Sequence, residues 1–123
     1  MGKLKALKIF KHMYRSGKVL FKNKLAGVVW QDENGYGFKY DENYLKSKNA
    51  VPVSLTLPVR AEPYIEKTMI AFFDGLIPEG WLLNITLKNW KLDNRDRMGL
   101  LLVACKDCIG AVSIEAIENK DEQ

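Results

Sequence analysis

The chain has little of the chemistry from which enzymes build active sites. It contains one histidine, His12, and two cysteines, Cys105 and Cys108, among its 123 residues. No G-x-x-x-x-G-K-[ST] or G-x-G-x-x-G loop is present to hold a phosphate group. Adjacent acids such as Asp41 and Glu42 fall in predicted turns, where carboxylates have structural roles. We therefore expect a protein that is not an enzyme, with no cofactor and no bound metal.

Long hydrophobic segments are also missing. No apolar run approaches the roughly 18 residues that a membrane-spanning helix needs. The basic N-terminus lacks the continuous apolar segment and the small-residue cleavage site of a signal peptide. A chain of 123 residues, 47% of them hydrophobic, has the size and composition of one globular domain. We expect a cytoplasmic protein without a membrane partner.

The two cysteines form a C-x-x-C pair, a spacing that zinc sites and redox sites share. A structural zinc ion needs four ligands, and the one histidine lies far away in the sequence. A redox cysteine acquires its low pKa at the N-terminus of a helix. Here the pair follows the apolar run 98–104, which is typical of the end of a helix. The sequence therefore favours packed thiols over metal or redox chemistry.

The positive charge is concentrated at the N-terminus. Residues 1–24 contain eight lysines and arginines and no acid, whereas the net charge of the whole chain is +4. Residues 1–17 are predicted to be a flexible basic leader; the alternative is an amphipathic helix that touches a membrane surface or a nucleic-acid backbone. The folded domain is predicted at 18–118, followed by a charged tail at 119–123. We expect no direct contact with nucleic acid.

Residue alternation predicts a small antiparallel sheet or partial barrel of about five strands. The predicted strands are 18–22, 25–31, 36–40, 51–57 and 109–117. Turns are expected at Asn23-Lys24 and at 32–35, because Asn-Gly is a favoured hairpin signal. Gly27 lies inside the second strand and predicts a bulge or a close backbone contact. The third strand alternates aromatic residues with glycine and lysine, so one aromatic face should be buried.

Three helices are predicted before the last strand, which makes the fold α+β. They cover 65–74, 78–90 and a segment from a cap at Asp93 or Asn94 through Ala104. Residues 41–49 are expected to form a polar turn or a single helical turn. Gly75 should end the first of the three helices with a positive φ. Pro78 should begin the second, since a proline in the first turn lacks only an N–H that has no partner there.

The segment 72–81, FFDGLIPEGW, is the feature that folding explains least. Gly80 in a first helical turn costs about 0.5–1 kcal/mol relative to alanine, which suggests that another backbone approaches it closely. Trp81 has two open interpretations: a core residue beside Leu82 and Ile85, or an exposed anchor, since tryptophan is common among interface hot spots. We hypothesise that the segment binds a partner protein, into which Trp81 inserts. The predicted partner-binding residues are Gly75, Leu76, Ile77, Pro78, Glu79, Gly80 and Trp81.

This segment also carries a resemblance to a known family. The run GLIPEGW, together with SLTLP at 54–58 and DRMGLLLVACKDCIGAVSI at 96–114, resembles the N-terminal subdomain of HipA-type serine/threonine kinases. The resemblance covers about residues 18–117. In that family the subdomain precedes the kinase lobes in one polypeptide, but this sequence contains neither an H-R-D catalytic loop nor a D-F-G motif. The resemblance therefore implies a detached N-terminal module.

In tripartite HipBST-type relatives, such a module is a separate antitoxin. It is encoded beside a shortened kinase toxin and a helix-turn-helix DNA-binding protein. The resemblance implies that this chain binds and restrains a HipA-like kinase, in a complex to which the DNA-binding protein can also belong. Two alternatives stay open: the chain completes a split kinase instead of inhibiting it, or it is a nucleic-acid-binding accessory that uses its basic leader.

Overall fold

A single antiparallel sheet organises the described part of the chain. The computed structural model describes residues 13–77, 95–105 and 111–117. The strand order is β4-β3-β2-β1-β5. The strands are β1 (Met13–Phe21), β2 (Lys24–Asp32), β3 (Gly35–Tyr40), β4 (Tyr64–Glu66) and β5 (Val112–Ala116). The helices are α1 (Glu42–Lys46), α2 (Ala71–Asp74) and α3 (Arg97–Ala104).

This arrangement confirms the predicted α+β class and the small antiparallel sheet. One helix, α1, precedes β4, and it occupies the segment where a polar turn or helical turn was expected. The other two described helices lie between β4 and β5. The predicted helix 78–90 lies outside the described residues. Within the described ranges, no helix has the length and apolar character needed to cross a membrane.

The two hairpin turns follow from local residue chemistry. Lys22 and Asn23 form the first turn, one residue earlier than predicted, and place Phe21 opposite Lys24. Both turn residues have positive φ, 50° and 67°, as a two-residue type I′ turn requires. The second turn lies at 32–35, as predicted, and the backbone N–H of Asn34 donates to the Asp32 side chain at 2.9 Å. These turns fix the register of the three central strands.

Gly27 lies at a β-bulge and beside a neighbouring backbone. The pairing of β1 with β2 shifts by one residue between Val19 and Leu20, which makes Ala26 the extra residue. A Cβ atom on Gly27 would overlap the carbonyl oxygen of Lys39 on β3. The predicted bulge and the predicted close contact are therefore both confirmed.

The first strand begins earlier than expected. It starts at Met13, five residues before the predicted start at Lys18. Gly17 pairs with Val29 on one side and with Ala116 on the other, so this part of the chain lies inside the sheet. Residues 13–17, which were assigned to the basic leader, thus belong to β1. Residues 1–12 lie outside the described residues.

Arg15, in this earlier part of β1, connects the sheet to the beginning of α3. Its Nη1 and Nη2 atoms donate to Oδ2 and Oδ1 of Asp96 at 2.7 and 2.6 Å, a bidentate geometry. Oδ1 of Asp96 also accepts a hydrogen bond from the backbone N–H of Gly99 at 3.2 Å and so caps the helix. Nε of Arg15 donates to Gln31 on β2 at 3.1 Å. One arginine therefore joins two strands and a helix start.

Two predicted helix boundaries were wrong. The predicted helix at 65–74 is only α2, because residues 64–66 form β4 and pair with β3. The ring of Tyr64 stacks on Phe38 with centroids 6.5 Å apart, a sheet contact that a helix would lose. The third helix begins at Arg97 with Asp96 as its cap, not at Asp93 or Asn94.

The predicted strand at 51–57 was also wrong, because this segment forms no strand. Tyr40 takes the place of a strand partner: its hydroxyl donates to the carbonyl of Leu57 and accepts from the N–H of Val53 at 3.0 Å. The Tyr44 hydroxyl donates to the carbonyl of Val51 at 2.5 Å. Val53 and Leu57 are buried, whereas Val51 is 47% and Leu55 93% exposed. Buried side chains in this segment are thus four residues apart, whereas a half-buried strand would bury every second residue.

The buried side chains of the sheet, α2 and α3 belong to one apolar cluster. The ring of Phe38 lies 4.8 Å from that of Tyr40 and 5.2 Å from that of Phe73, measured between centroids. Met98 and Leu101 on α3 are fully buried in the same cluster. The predicted aromatic face of the third strand is therefore buried, and helices α2 and α3 contribute to its cover.

The Arg15–Asp96 pair should make the free energy of unfolding depend on pH in the acidic range. The hydrogen bond from Arg15 lowers the pKa of Asp96, and the same bond raises the pKa of Arg15. Because the folded-state pKa of Asp96 is lowered, its stabilising contribution is present above the ordinary carboxyl pKa. That contribution is lost as the pH falls through the folded-state pKa.

We predict that Arg15→Gln lowers the free energy of unfolding by about 1 kcal/mol near neutral pH, because solvent screens a partly exposed pair. The two side chains are 35% and 38% exposed. The difference from the parent chain should shrink as the pH falls through the lowered folded-state pKa of Asp96 and the carboxyl group becomes protonated. Urea unfolding near neutral pH and in acid measures it, with Lys39→Gln on the exposed face of β3 as the control. A deficit that is equally large in acid would contradict the prediction.

The hydroxyl of Tyr40 should stabilise the folded chain more than the hydroxyl of Tyr64 does. Burial raises the pKa of Tyr40, and its hydroxyl bonds two backbone groups of the 51–57 segment. We predict that Tyr40→Phe lowers the free energy of unfolding by about 1–3 kcal/mol, because it leaves buried polar groups unpaired. Tyr64→Phe is the matched control, since its bond to the Pro58 carbonyl is exposed. Equal losses in urea unfolding would show that the buried bonds are not the cause.

Candidate partner-binding site

The described part of the predicted partner-binding segment runs from α2 to Ile77. Phe73 and Ile77, four residues apart, are buried and attach this segment to the core. Between them, Gly75 is exposed and Leu76 is half-buried. Residues 75 and 76 therefore reach the surface from a segment that the core holds in place.

The remaining predicted site residues lie outside the described part of the chain. They are Pro78, Glu79, Gly80 and Trp81. Whether Trp81 is a core residue or an exposed anchor therefore stays a prediction.

Helix α3 supports this segment at two points. Nε of Arg97 donates to Oδ1 of Asp74 at 2.5 Å, where α3 begins. The thiol of Cys105, at the other end of α3, donates to the carbonyl of Leu76 at 3.5 Å. Cys105 is fully buried, which fits the predicted packed thiol, whereas Cys108 lies outside the described residues. The residues on either side of Gly75 are thus each bonded to α3 or to its C-terminal cap.

The predicted positive φ of Gly75 was wrong. Its φ and ψ are −69° and −15°, which are helical values that any residue adopts. The atoms nearest to an added Cβ would be the carbonyl oxygens of Ala71 and Phe72 at 3.4 and 3.5 Å, which is ordinary van der Waals contact. The fold itself therefore does not require glycine at this position.

The backbone hydrogen bonds explain this conformation. The N–H of Leu76 donates to the carbonyl of Phe73 at 3.1 Å, and the N–H of Ile77 donates to that of Asp74 at 3.3 Å. These bonds span three residues and extend the chain beyond α2 in a tighter helical turn. A left-handed glycine would have interrupted them.

A cleft of about 360 Å³ lies beside α2 and contains a second segment of interest. Thr56 and Leu57, from the SLTLP sequence, line it together with Ala71 and Phe72 of α2. The N–H of Leu57 donates to the carbonyl of Ser54 at 3.0 Å, so the SLTLP segment forms a tight turn. The sequence predicted a strand for this segment and gave no sign that it borders α2, the helix that leads into the predicted partner-binding residues.

Comparison with known proteins matches this chain to a family. The family model described as HipA N-terminal domain matches residues 17–115. This chain belongs to the HipA N-terminal domain family. A solved structure, the N-terminal domain of HipA toxin, superposes with a TM-score of 0.69 and 27% sequence identity. The superposition covers 88% of this chain and 97% of that structure.

Two relatives show different lengths. An uncharacterized protein of Haemophilus influenzae is 31% identical over 103 residues, which cover 84% of this chain and 93% of that protein. A putative kinase of Sinorhizobium fredii, Y4mE, is 40% identical over 62 residues. That match covers 50% of this chain but only 15% of the putative kinase. The match with this chain thus covers nearly all of one relative and a small part of the other.

The residues that support the site lie within the family match, with the exception of Arg15. Gly75, Leu76, Arg97 and Cys105 all lie within the matched residues 17–115. Arg15 lies before them, although its partner Asp96 lies within them. The contact between β1 and the start of α3 therefore joins this HipA N-terminal domain to residues that the family model does not include.

Gly75 can be tested as a position that the fold leaves free. We predict that Gly75→Ala keeps the free energy of unfolding or raises it by about 0.5–1 kcal/mol, because alanine reduces the entropy of the unfolded chain. Gly27→Ala is the control and should be strongly destabilising, since its Cβ would overlap the Lys39 carbonyl. Urea unfolding measures both variants. A clear loss of stability in Gly75→Ala would mean that the fold does need this glycine.

Proposed function

We propose that this HipA N-terminal domain is a non-catalytic antitoxin subunit. In this proposal it binds a HipA-like serine/threonine kinase that is encoded separately, and it restrains that kinase. The observation that carries the proposal is the family match over residues 17–115. The match with this chain covers 93% of a short relative and 15% of a putative kinase, which supports a module able to act on kinase lobes from outside or from within one chain.

The surface at residues 75–76 supports a contact with a partner. Gly75 is exposed in a helical conformation, where folding gains nothing from glycine and a side chain has room. Glycine in helical backbone costs about 0.5–1 kcal/mol relative to alanine. A partner backbone that approaches this point closely would account for that cost, since any side chain would keep it away. Asp74 and Leu76 hold the segment to α3, so little order would be lost on binding.

The ionisable side chains support a non-catalytic role. Arg15, Tyr40 and Asp96 have shifted pKa values among the described residues. The hydrogen bond between Arg15 and Asp96 is the main cause of the first and third shifts, and burial is the main cause of the shift of Tyr40. Each group serves a structural contact of the fold. None of the three lines the cleft beside α2.

The binding surface is tested with a HipA-type kinase from the same genome that lacks its own N-terminal domain. We predict that Gly75→Gln weakens binding about tenfold or more, because its side chain blocks close approach, while Ala61→Gln, at an exposed site in the 58–63 connection, leaves it unchanged. Trp81→Ala should weaken binding by about 2–4 kcal/mol, as loss of an interface tryptophan does. Calorimetric titration measures all three variants. Parent-like binding of both Gly75→Gln and Trp81→Ala would place the interface elsewhere.

Kinase activity separates restraint from completion. If the chain is an antitoxin, adding it should lower the autophosphorylation of the kinase, and Trp81→Ala should restore it. A rise in activity on mixing would instead favour a split kinase that this domain completes. Retention on DNA that depends on salt and disappears on deletion of residues 1–12 would favour a nucleic-acid-binding accessory. The deletion stops at residue 12 because β1 begins at Met13.

A further inference from the structure

A larger cleft, of about 580 Å³, lies at the turn end of the β1–β2 hairpin and against α1. It shares no lining residue with the partner-binding segment or with the cleft beside α2. Its apolar lining comes from Phe21, Leu25, Tyr44 and Val51. Leu25 and Val51 are 39% and 47% exposed, which places two of the large exposed hydrophobic residues of the described chain in one concave surface.

The polar lining of this cleft has one sign of charge. Lys22 and Lys24 come from the hairpin, and Lys48 comes from the segment that follows α1. The other polar lining residues are neutral, and no carboxylate is among the ten residues that form the walls. A surface with apolar and cationic groups, and no anionic ones, is complementary to a ligand that is both apolar and negatively charged.

We propose that this cleft binds an acidic peptide segment of a partner protein. An apolar side chain of the segment lies against Leu25 and Val51, and its carboxylates lie near Lys22, Lys24 and Lys48. The volume is within the range of roughly 300–1,000 Å³ that is usual for ligand sites. This site is additional to the contact at residues 75–81, and it gives the domain a second partner surface.

The aromatic residues of the cleft argue against a nucleic acid as the ligand. Single-stranded nucleic acids bind through aromatic rings on which the bases stack. The ring of Tyr44 already stacks on Tyr40, with centroids 5.9 Å apart and planes 8° apart. Its hydroxyl is also engaged, by the carbonyl of Val51. Phe21 is the other aromatic residue of the lining, and Nζ of Lys22 lies 5.7 Å from the centroid of its ring. The aliphatic side chains of Leu25 and Val51 suit the apolar side chain of a peptide better than a base.

The walls of the cleft are held in place before a ligand arrives. Lys22 occupies a positive-φ position of the hairpin turn, and its backbone N–H donates to the carbonyl of Ala111 at 2.7 Å. On the opposite wall, the hydroxyl and the backbone N–H of Ser47 both donate to the carbonyl of Tyr44, at 2.7 and 3.2 Å. A site ordered in advance loses less entropy when a peptide binds.

The ligand class is tested with the full chain and an immobilised library of short peptides in which net charge and apolar content vary independently. We expect the chain to retain peptides that combine acidic residues with leucine or another apolar residue. A soluble copy of the best retained peptide then gives the Kd by fluorescence anisotropy. Retention of neutral or basic peptides, or of none, would overturn the proposal.

Two sets of variants locate the site. Lys22→Glu, Lys24→Glu and Lys48→Glu together should weaken binding by about tenfold or more, because repulsion replaces attraction. Changing Lys18, Lys39 and Lys67 to glutamate alters net charge equally outside the cleft and should have a much smaller effect. Leu25→Ser with Val51→Ser keeps the lysines and should also weaken binding. Urea unfolding checks that every variant folds.

The outcomes distinguish the ligand classes. Loss of binding in the cleft-lysine variant together with weakening in the double serine variant supports the peptide site. Loss in the first with parent-like binding in the second would indicate a general anion site and overturn the proposal. Equal losses in the two lysine variants would show attraction by net charge alone and would also overturn the proposal. Tighter binding of single-stranded DNA than of the best peptide, abolished in the cleft-lysine variant, would overturn it in favour of a nucleic acid.

Discussion

The contacts of the Phe38 ring are the interactions on which the described fold depends most. It is fully buried on β3 and meets the rings of Tyr40, Tyr64 and Phe73. These rings come from the same strand, from the edge strand β4 and from α2, so one side chain holds three parts of the chain together. The predicted partner-binding residues Gly75 to Ile77 follow directly after Phe73 and Asp74. Their position is therefore set by how α2 packs on this ring.

Helix α3 connects the sheet to the segment at 75–77. The helix has eight residues and is held at both ends: Asp96 accepts from Arg15 of β1, and Cys105 donates to the carbonyl of Leu76. Buried leucines between these ends join it to the core. The sheet, the helix and the exposed glycine thus form one connected path. A change at the beginning of α3 would reach the surface at residues 75 and 76 through these contacts.

Local chemistry made part of the structure predictable. The turn residues, the bulge at Gly27 and the aromatic face of β3 each depend on neighbours within a few positions. The 51–57 segment was mispredicted because its hydrogen bonds come from Tyr40, which is 13 and 17 residues away from its partners. The family motif contains Gly75 and Leu76, which reach the surface, although the conformation of Gly75 was mispredicted. The lysine-lined cleft escaped prediction because the β1–β2 hairpin and the segment from α1 to Val51 meet only in the folded chain.

The bond between Arg15 and Asp96 bears on where this domain can be cut and joined. The family match begins at Gly17, which is the fifth residue of β1. A domain excised at that boundary would lose the guanidinium group that holds the cap of α3, together with strand residues that pair with β2. It would still contain every matched position, yet its sheet would be shortened. Fusions and domain exchanges within this family should therefore place their junction before the strand begins, and not where sequence similarity ends.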